Sequence, residues 1–184
     1  MAHSIELLLD DHSDQAMRAQ WQALADAGLP SQLRVKSATN RPHITLLAAA
    51  QISPDVDDVL RGLADRLPFA CVIGAPLVFG GALDVGHRAG ARGMTLARLI
   101  VPSAELLDLH AEVYRVARTH LTGDPFGHCR PGHWTAHATL GRRLGADEIG
   151  PALAAIGDCG DLSSRIVGLR RWDSDQRVDH ILIP

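Results

Sequence analysis

The sequence has few of the features that mark secreted or disulfide-linked proteins. Its 184 residues include three cysteines, Cys71, Cys129 and Cys159, and no Cys-x-x-Cys pair. An odd number of dispersed thiols does not favour a disulfide framework and is typical of a reduced protein. We therefore expect a cytoplasmic location.

Long apolar segments and an excess of charge of one sign are also lacking. No apolar run is long enough to span a bilayer, and the first residues, MAHSIELLLDDHSD, have no basic region of the signal-peptide kind. We therefore expect no membrane association. The formal net charge of −3 provides no general surface for polyanions, so a long nucleic-acid duplex is not an expected partner. A small ligand with one or two phosphates is compatible with this net charge.

The composition is that of a packed globular domain. Hydrophobic residues make up 46% and charged residues 21% of the chain, which argues against disorder. A chain of 184 residues can bury a substantial core. We expect one domain over residues 1–184, monomeric, made of two lobes that cover about 1–90 and 91–184.

The first half of the chain predicts strands and helices in alternation. Residues 4–9 form a short apolar strand, and a helix that we expect Ser13 to cap follows it. The run HITLLAAA from residue 43 predicts a second strand. Ser53-Pro54 then starts a helix that ends near Leu67, and FACVIGAPLVFG predicts a strand interrupted at its Gly and Pro.

The second half repeats this order. MTLARLIV predicts a strand, Ser103 caps a helix, and WTAHATLG, residues 134–141, predicts the next strand. A short helix over 149–156 and a terminal hairpin complete the chain, and the glycine-rich residues 80–93 separate the halves. The repeat lies in the order of elements more than in the residues. It indicates an α+β fold of two related lobes.

A His-x-Thr-Leu sequence occurs once in each half, at matching positions. HITL begins at His43 and HATL begins at His137, whereas composition alone gives roughly 0.06 such matches. Side chains alternate along a strand, so His43 and Thr45 share one face, as do His137 and Thr139, with apolar residues behind. If a pseudo-twofold axis relates the lobes, both polar pairs can face one cleft.

Two imidazoles and two hydroxyls suit phosphodiester chemistry without a metal. A neutral imidazole can take a proton from the attacking oxygen, and an imidazolium can give one to the leaving oxygen. The threonine hydroxyls can donate hydrogen bonds to the non-bridging oxygens, on which charge develops. The sequence leaves open which histidine is the acid and which is the base.

The strands RPHITLL and HWTAHATLGRR resemble the two signature strands of the 2H phosphoesterase superfamily, specifically its 2′-5′ RNA ligase-like branch. The resemblance covers essentially the whole chain. It implies a bilobed α+β fold with antiparallel sheets, activity on 2′,3′-cyclic phosphates or 2′-5′ linkages, and no cofactor or metal. By motif position, it implies that His43 and His137 are the acid/base pair and that Thr45 and Thr139 bind the phosphate. Ala136 stands where the family usually has Pro.

The expected substrate is a nucleotide or RNA end with a cyclic phosphate or a 2′-5′ linkage, processed by hydrolysis or ligation. The alternative is a non-catalytic nucleotide- or RNA-end-binding module that uses the same cleft. Two histidines favour the enzyme, because permanently charged arginine or lysine would serve simple phosphate binding better.

Basic side chains flank both motifs. Those predicted to contact substrate are Arg41, His133 and Arg143. Regular alternation from His137 puts Arg143 on the side of that histidine and Arg142 on the other. HWT at His133 is an alternative second motif, although an alanine follows it. Near the C-terminus, Arg170, Arg171 and Trp172 are further candidates for the rim of the site.

A metal site is the competing interpretation of the region before the second motif. His128, Cys129, His133 and His137 lie close in sequence, and zinc uses such ligands. A His pair at positions i and i+4 converges only on a helix, however, and this region is predicted to be loop and strand. We therefore expect no bound metal.

Overall fold

The structure, a computed structural model, describes residues 2–80 and 93–184. The helices in these ranges are α1 (Asp11–Asp26), α2 (Val56–Arg61), α3 (Ala104–Ala117) and α4 (Ile149–Ile156). The strands are β1 (His3–Leu9), β2 (His43–Ala49), β3 (Gln51–Ile52), β4 (Phe69–Phe79), β5 (Met94–Ile100), β6 (Leu121–Thr122), β7 (His137–Leu144), β8 (Leu162–Asp173) and β9 (Val178–Ile183). The predicted lobe boundary near residue 90, and all but the ends of the predicted join over 80–93, lie outside the described residues.

The large sheet is antiparallel, with strand order β1-β2-β7-β5-β4-β8-β9. Because β1 also pairs with β8, the first six of these strands close into a ring and β9 lies outside it. The ring consists of two three-stranded layers, β2-β1-β8 and β7-β5-β4, which meet where β2 pairs with β7 and where β4 pairs with β8. The predicted α+β fold with antiparallel sheets is confirmed.

Each layer contains one strand from the other half of the chain. β4, from the first half, pairs with β5, and β8, from the second half, pairs with β1. The exchange is symmetric, because β4 and β8 hold the same place in the two halves: each is the strand that follows the second helix of its half. The two halves of the sequence are therefore interlocked through main-chain hydrogen bonds.

Helix starts follow local side-chain capping. Ser103 caps α3 as predicted, and its hydroxyl accepts a hydrogen bond from the Leu106 amide. The prediction that Ser13 caps α1 is wrong, because Asp10 occupies that position and accepts from the Ser13 amide. The Asp10 carboxylate also accepts from the Arg165 amide of β8, so the cap joins α1 to the sheet.

Two further elements differ from the sequence-based expectation. The second helix ends at Arg61 and continues only as a short 3-10 turn at Ala64–Arg66, so it is shorter than the pattern up to Leu67 predicted. β3 pairs with β6 in a separate two-stranded sheet, which no sequence pattern indicated. Within residues 2–80 and 93–184, no helix has both the length and the apolar character needed to cross a bilayer.

The apolar faces of the motif strands lie at the centre of the core. Ile44 and Leu46 of β2, and Ala138 and Leu140 of β7, are all fully buried. α1 contacts β7 and α3 contacts β2 on this covered side. Burying one large aliphatic side chain contributes about 1.5–3 kcal/mol, so core packing fixes the face on which the histidines stand.

A buried ion pair joins β8 to α2. Both hydrogen bonds of the pair are short: Arg171 Nε lies 2.6 Å from Asp57 Oδ1, and Nη2 lies 2.9 Å from Oδ2. The Arg171 side chain is 1% exposed. The prediction that Arg171 lies at the rim of the site is therefore wrong, and the residue has a structural role.

Asp57→Asn is expected to lower the free energy of unfolding by about 3–5 kcal/mol, because it leaves a buried guanidinium without its counter-charge. Urea unfolding measures this as a lower midpoint at unchanged slope. Asp58→Asn is the matched control, since Asp58 is exposed and pairs with Arg61 at the surface. Equal losses in the two variants would contradict the assignment.

Candidate active site

The two His-x-Thr motifs lie on adjacent strands. β2 and β7 pair antiparallel through Ile44 and Ala138, the central residues of the motifs. Continuing this register by one residue in each direction puts each histidine beside the threonine of the other motif. The neighbours are His43 with Thr139 and His137 with Thr45. Diagonal positions on paired strands lie roughly 7–8 Å apart, so one phosphate can contact both imidazoles.

Both imidazoles are oriented in the same way. The Nδ1 atom of His43 is 2.7 Å from the carbonyl oxygen of Arg41, and that of His137 is 2.7 Å from the carbonyl oxygen of Thr135. Each Nδ1–H therefore donates to the carbonyl two residues earlier. This contact fixes the tautomer and leaves Nε2 as the atom that can exchange a proton with a ligand.

Two tryptophans hold the strands that carry the threonines. The Trp21 indole, from α1, donates to the carbonyl of Thr139 at 3.0 Å, and the Trp134 indole donates to the carbonyl of Thr45 at 2.9 Å. These bonds satisfy main-chain acceptors at the splayed junction of β2 and β7. Trp134 also stacks on His110, with ring centroids 4.0 Å apart. Trp134 therefore packs with the core.

A buried charge cluster lies beside His43. Glu6 of β1 is 4% exposed, and its Oε1 atom is 3.6 Å from His43 Nε2. Arg170 of β8 is 3% exposed and donates through Nε to Glu6 Oε2 at 2.8 Å. Its Nη1 donates to the Thr39 carbonyl at 2.8 Å and to Asp179 at 3.0 Å. The prediction that Arg170 lies at the rim is wrong, because its donors are occupied inside the protein.

The cluster keeps the Glu6 carboxyl ionised. Burial raises its pKa, but the positive charges of His43 and Arg170 lower it. Hydrogen bonds from Ser4 and Arg170 act in the same direction. The net result is a pKa below the ordinary value, so a carboxylate faces His43 at neutral pH.

The surroundings of His137 are different. The Phe79 ring of β4 lies against it, with ring centroids 4.5 Å apart. Burial lowers the pKa of His137 below its ordinary value. The charges of Arg142, His43 and His128 act in the same direction, and the hydrogen bond to the Thr135 carbonyl opposes them. The neutral imidazole is therefore favoured at this position.

A bulge changes the positions of the arginines that follow the second motif. Thr139 pairs with Ala97 and Gly141 pairs with Leu96, so the register of β7 shifts between these residues. The alternation that predicts Arg143 on the side of His137 is thus broken. The charge of Arg142 is the one that acts on His137. Arg143 is exposed and has a positive φ of 66°.

The other predicted contacts lie at the edge of the motif strands. Arg41 Nε is 3.6 Å from Asp14 Oδ1, and this ion pair holds the Arg41 side chain beside α1. His133 is exposed in the turn before β7, where its amide donates to the Arg130 carbonyl at 2.9 Å. β7 starts at His137, so His133 lies before the strand. The alternation of side chains between the two faces of β7 therefore does not extend to His133.

The described residues contain one group that could hold a metal ion, and it is not the group that the sequence suggested. His3, Asp173 and Asp175 place one ligand atom each within 4.8 Å of one another near the turn between β8 and β9. The Asp173 carboxylate already accepts from the amides of Asp175 and Gln176. Burial raises the pKa of the Cys129 thiol, which disfavours the thiolate that zinc requires.

Comparison with known proteins identifies the family. The profile of the 2′-5′ RNA ligase superfamily matches residues 11–176. The chain belongs to this superfamily. Its membership confirms the resemblance to 2H phosphoesterases that the motif strands indicated, and it supports an enzyme of the phosphoesterase and RNA ligase class. Among curated proteins, none matches the sequence.

Solved structures of this superfamily share the fold. Usb1 of Kluyveromyces marxianus is 13% identical, with a TM-score of 0.54 over 100% of this chain and 98% of that one. Its structure with uridine monophosphate gives 13% identity and a TM-score of 0.53 over 100% and 97%. LigT of E. coli, in apo form, is 17% identical, with a TM-score of 0.52 over 98% and 92%. At these identities, the similarity shows the fold alone.

The sequence did not reveal Glu6 and Phe79 as neighbours of the two motif histidines. The signal for Glu6 is a single carboxylate inside the apolar run SIELLL, which requires a buried partner. Its partner Arg170 is distant in sequence, so the pair is visible only after β1 and β8 are aligned. Phe79 carries no local signal, because an aromatic residue at the end of a strand is expected simply to pack in the hydrophobic core.

Phe79→Ala is expected to raise the pKa of His137 towards its ordinary value, because the imidazole gains solvent contact and burial is the main cause of the lowered pKa. NMR titration of the histidine ring protons measures the change. Leu107→Ala removes an exposed apolar side chain from α3 and serves as the control. A His137 titration that is the same in Phe79→Ala and wild type would refute the role given to the ring.

Proposed function

We propose that this protein is a metal-independent phosphodiesterase of the 2′-5′ RNA ligase-like type, which acts on 2′,3′-cyclic phosphates or 2′-5′ phosphodiester linkages. One observation carries the proposal. Two imidazoles on adjacent strands each offer Nε2 next to a threonine of the other motif. This arrangement supplies two proton-transfer groups and two hydroxyl donors to a single phosphate.

The chemistry needs only these four side chains. One Nε2 accepts a proton from the attacking water or hydroxyl, whose oxygen forms the new bond to phosphorus. The other imidazolium gives its proton to the oxygen that leaves as the old phosphorus–oxygen bond breaks. Within residues 2–80 and 93–184, neither threonine hydroxyl is held by another group, so Thr45 and Thr139 can donate to the non-bridging oxygens.

A nucleotide is the substrate class that this proposal favours. Usb1 of Kluyveromyces marxianus, which has the same fold, was solved with uridine monophosphate. Uridine 2′,3′-cyclic phosphate is therefore a suitable first substrate. Arg41, Arg142, Arg143 and His133 flank the motif strands, and we propose that charge from this group draws in the phosphate and the remainder of an RNA end.

Replacement of either histidine tests the proposal. His43→Ala or His137→Ala should reduce kcat/KM for the cyclic nucleotide by roughly 10²–10⁴-fold, because one proton transfer is lost. The double variant should lose less than the product of the two, since both groups act on one displacement. Thr45→Ala or Thr139→Ala should cost roughly 10²–10³-fold, as for one oxyanion donor.

His12→Ala is the matched control, because His12 is exposed on α1 and belongs to neither motif. It should keep wild-type activity. Tight binding of uridine 2′,3′-cyclic phosphate without product, in wild type, would support the non-catalytic binding module instead. Full activity in His137→Ala together with loss in His133→Ala would show that the second motif is HWT.

Chelation tests the claim of metal independence. Turnover of the cyclic nucleotide should be unchanged after dialysis against EDTA, because both proton transfers and the charge stabilisation come from side chains. Metal analysis of the purified protein should find no stoichiometric zinc. Loss of turnover on chelation, restored by added zinc, would overturn this part of the proposal.

A further inference from the structure

The main chain that leads into the first motif is held at three consecutive residues. Each of the three carbonyls accepts a hydrogen bond from a side chain elsewhere: Thr39 from Arg170 at 2.8 Å, Asn40 from Arg18 at 3.2 Å and Arg41 from His43 at 2.7 Å. The side chain of Arg41 therefore starts from a fixed backbone. A group that is already positioned loses less entropy when it binds a ligand.

Arg41 lies on the same face as the first motif histidine. Pro42 and Ile44 are buried, whereas Arg41 and His43 are half-buried, so the alternation of β2 extends back to Arg41. Two residues along an extended chain span roughly 7 Å. This length is similar to the spacing of neighbouring phosphates in an RNA strand. The Arg41 side chain thus starts about one nucleotide away from the imidazole.

The guanidinium of Arg41 is anchored at one end and open at the other. Its Nε atom is buried and lies 3.6 Å from Asp14 Oδ1. Within residues 2–80 and 93–184, the two terminal nitrogens have no hydrogen-bond partner, and unlike Nε they are not buried. The terminal N–H groups of a guanidinium form a fork that fits two oxygens of a phosphate. Arg41 therefore keeps this fork free for a ligand.

The charges around Asp14 leave one positive charge unbalanced. The Asp14 carboxylate is 9% exposed and contacts the Nε atoms of both Arg18 and Arg41. In the part of the chain that the structure describes, neither arginine has a second carboxylate within ion-pair distance. Two guanidinium groups and one carboxylate carry a net charge of about +1 at neutral pH. An anionic group is the complement of this cluster.

The second motif has no such guanidinium at the matching position. Thr135 stands two residues before His137, and its carbonyl accepts from the imidazole just as the Arg41 carbonyl does. Its side chain is an exposed hydroxyl. The two motifs already supply every group that the proposed displacement uses. A charge at only one end of the site is therefore suited to selecting among substrates.

We propose that Arg41, positioned by Asp14, forms a second phosphate subsite beside His43, which binds the 5′-phosphate of the nucleoside that carries the reacting cyclic phosphate. This inference rests on the proposed function, because it names the substrate class of that site. A nucleoside 2′,3′-cyclic phosphate lacks this second phosphate, whereas an RNA end or a 5′-phosphorylated nucleotide has it. Asp14 is a positioning residue, since it acts through Arg41.

A binding experiment tests the subsite without any turnover. Isothermal titration calorimetry compares uridine 3′-monophosphate with uridine 3′,5′-bisphosphate on wild-type protein. The bisphosphate should bind roughly 10–100-fold more tightly, which is the effect of one added hydrogen-bonded contact to a charged group. Equal affinities would overturn this inference alone. Failure of both nucleotides to bind would overturn the proposed function as well.

Variants of Arg41 assign the preference to this side chain. Arg41→Met should abolish the preference for the bisphosphate, and Arg41→Lys should keep part of it, because the charge remains without the fork. Arg34→Met is the matched control, since Arg34 is an exposed arginine that donates to the Gly28 carbonyl. It should keep the wild-type preference. A preference that survives in Arg41→Met, or is lost equally in Arg34→Met, would overturn the subsite.

Asp14→Asn separates positioning from simple charge. The substitution removes a negative charge beside Arg41, so an effect of charge alone would strengthen the preference for the bisphosphate. A positioning role predicts the opposite, because Nε loses its anchor and the fork is no longer held. We expect a weaker preference. A stronger one would overturn the role of Asp14.

Turnover of three substrates identifies the source of the second phosphate. They are uridine 2′,3′-cyclic phosphate, its 5′-phosphorylated form, and the dinucleotide UpU that ends in a 2′,3′-cyclic phosphate. Both substrates with a second phosphate should show a lower KM at similar kcat, because the added contact is remote from the bonds that change. A lower KM for the dinucleotide indicates an RNA end, and a lower KM for the 5′-phosphorylated form indicates a free nucleotide. Equal KM values for all three would contradict the subsite, although turnover of the first would still support the proposed function.

Discussion

The pairing of β2 with β7 through Ile44 and Ala138 is the constraint on which the site depends. Both side chains are fully buried. Among the described residues, the two motif strands pair with each other at this one position. A shift of this register by one residue would turn a histidine into the core and an apolar side chain towards the ligand. Core packing therefore fixes the chemistry, because the register that buries Ile44 and Ala138 also brings the two imidazoles together.

The rest of the fold supports that junction. The exchange of β4 and β8 closes the ring on its far side, so the angle between the two layers is held at both junctions. Trp21 and Trp134 satisfy the carbonyls of the two threonines where the strands diverge. Gly141, directly after the second motif, allows the Pro30 carbonyl to approach the strand, and a side chain there would collide with that backbone.

The two motifs are similar in sequence and in main-chain geometry, but their environments differ. Each Nδ1 donates to a carbonyl two residues earlier, which is a local property of the motif strand. What lies against each imidazole comes from distant strands: Glu6 and Arg170 in one layer, and Phe79 in the other. The fold thus places two imidazoles with the same local main-chain contact in different surroundings, one beside a buried charge cluster and one against an aromatic ring.

The sequence alone determined the order of the helices and of the strands of the large sheet, the face on which His43, Thr45, His137 and Thr139 lie, and the family, because strand alternation and motif spacing are local properties. The cap of α1, the bulge after Thr139 that brings the charge of Arg142 onto His137, and the burial of Arg170 and Arg171 were not predicted. The cap is a local contact, since Asp10 lies three residues from the amide that it caps. The bulge and the burial of the two arginines depend on which strands pair and in what register. Only the tertiary structure decides that, because the strands that pair are distant in sequence and their contacts leave no pattern in either segment.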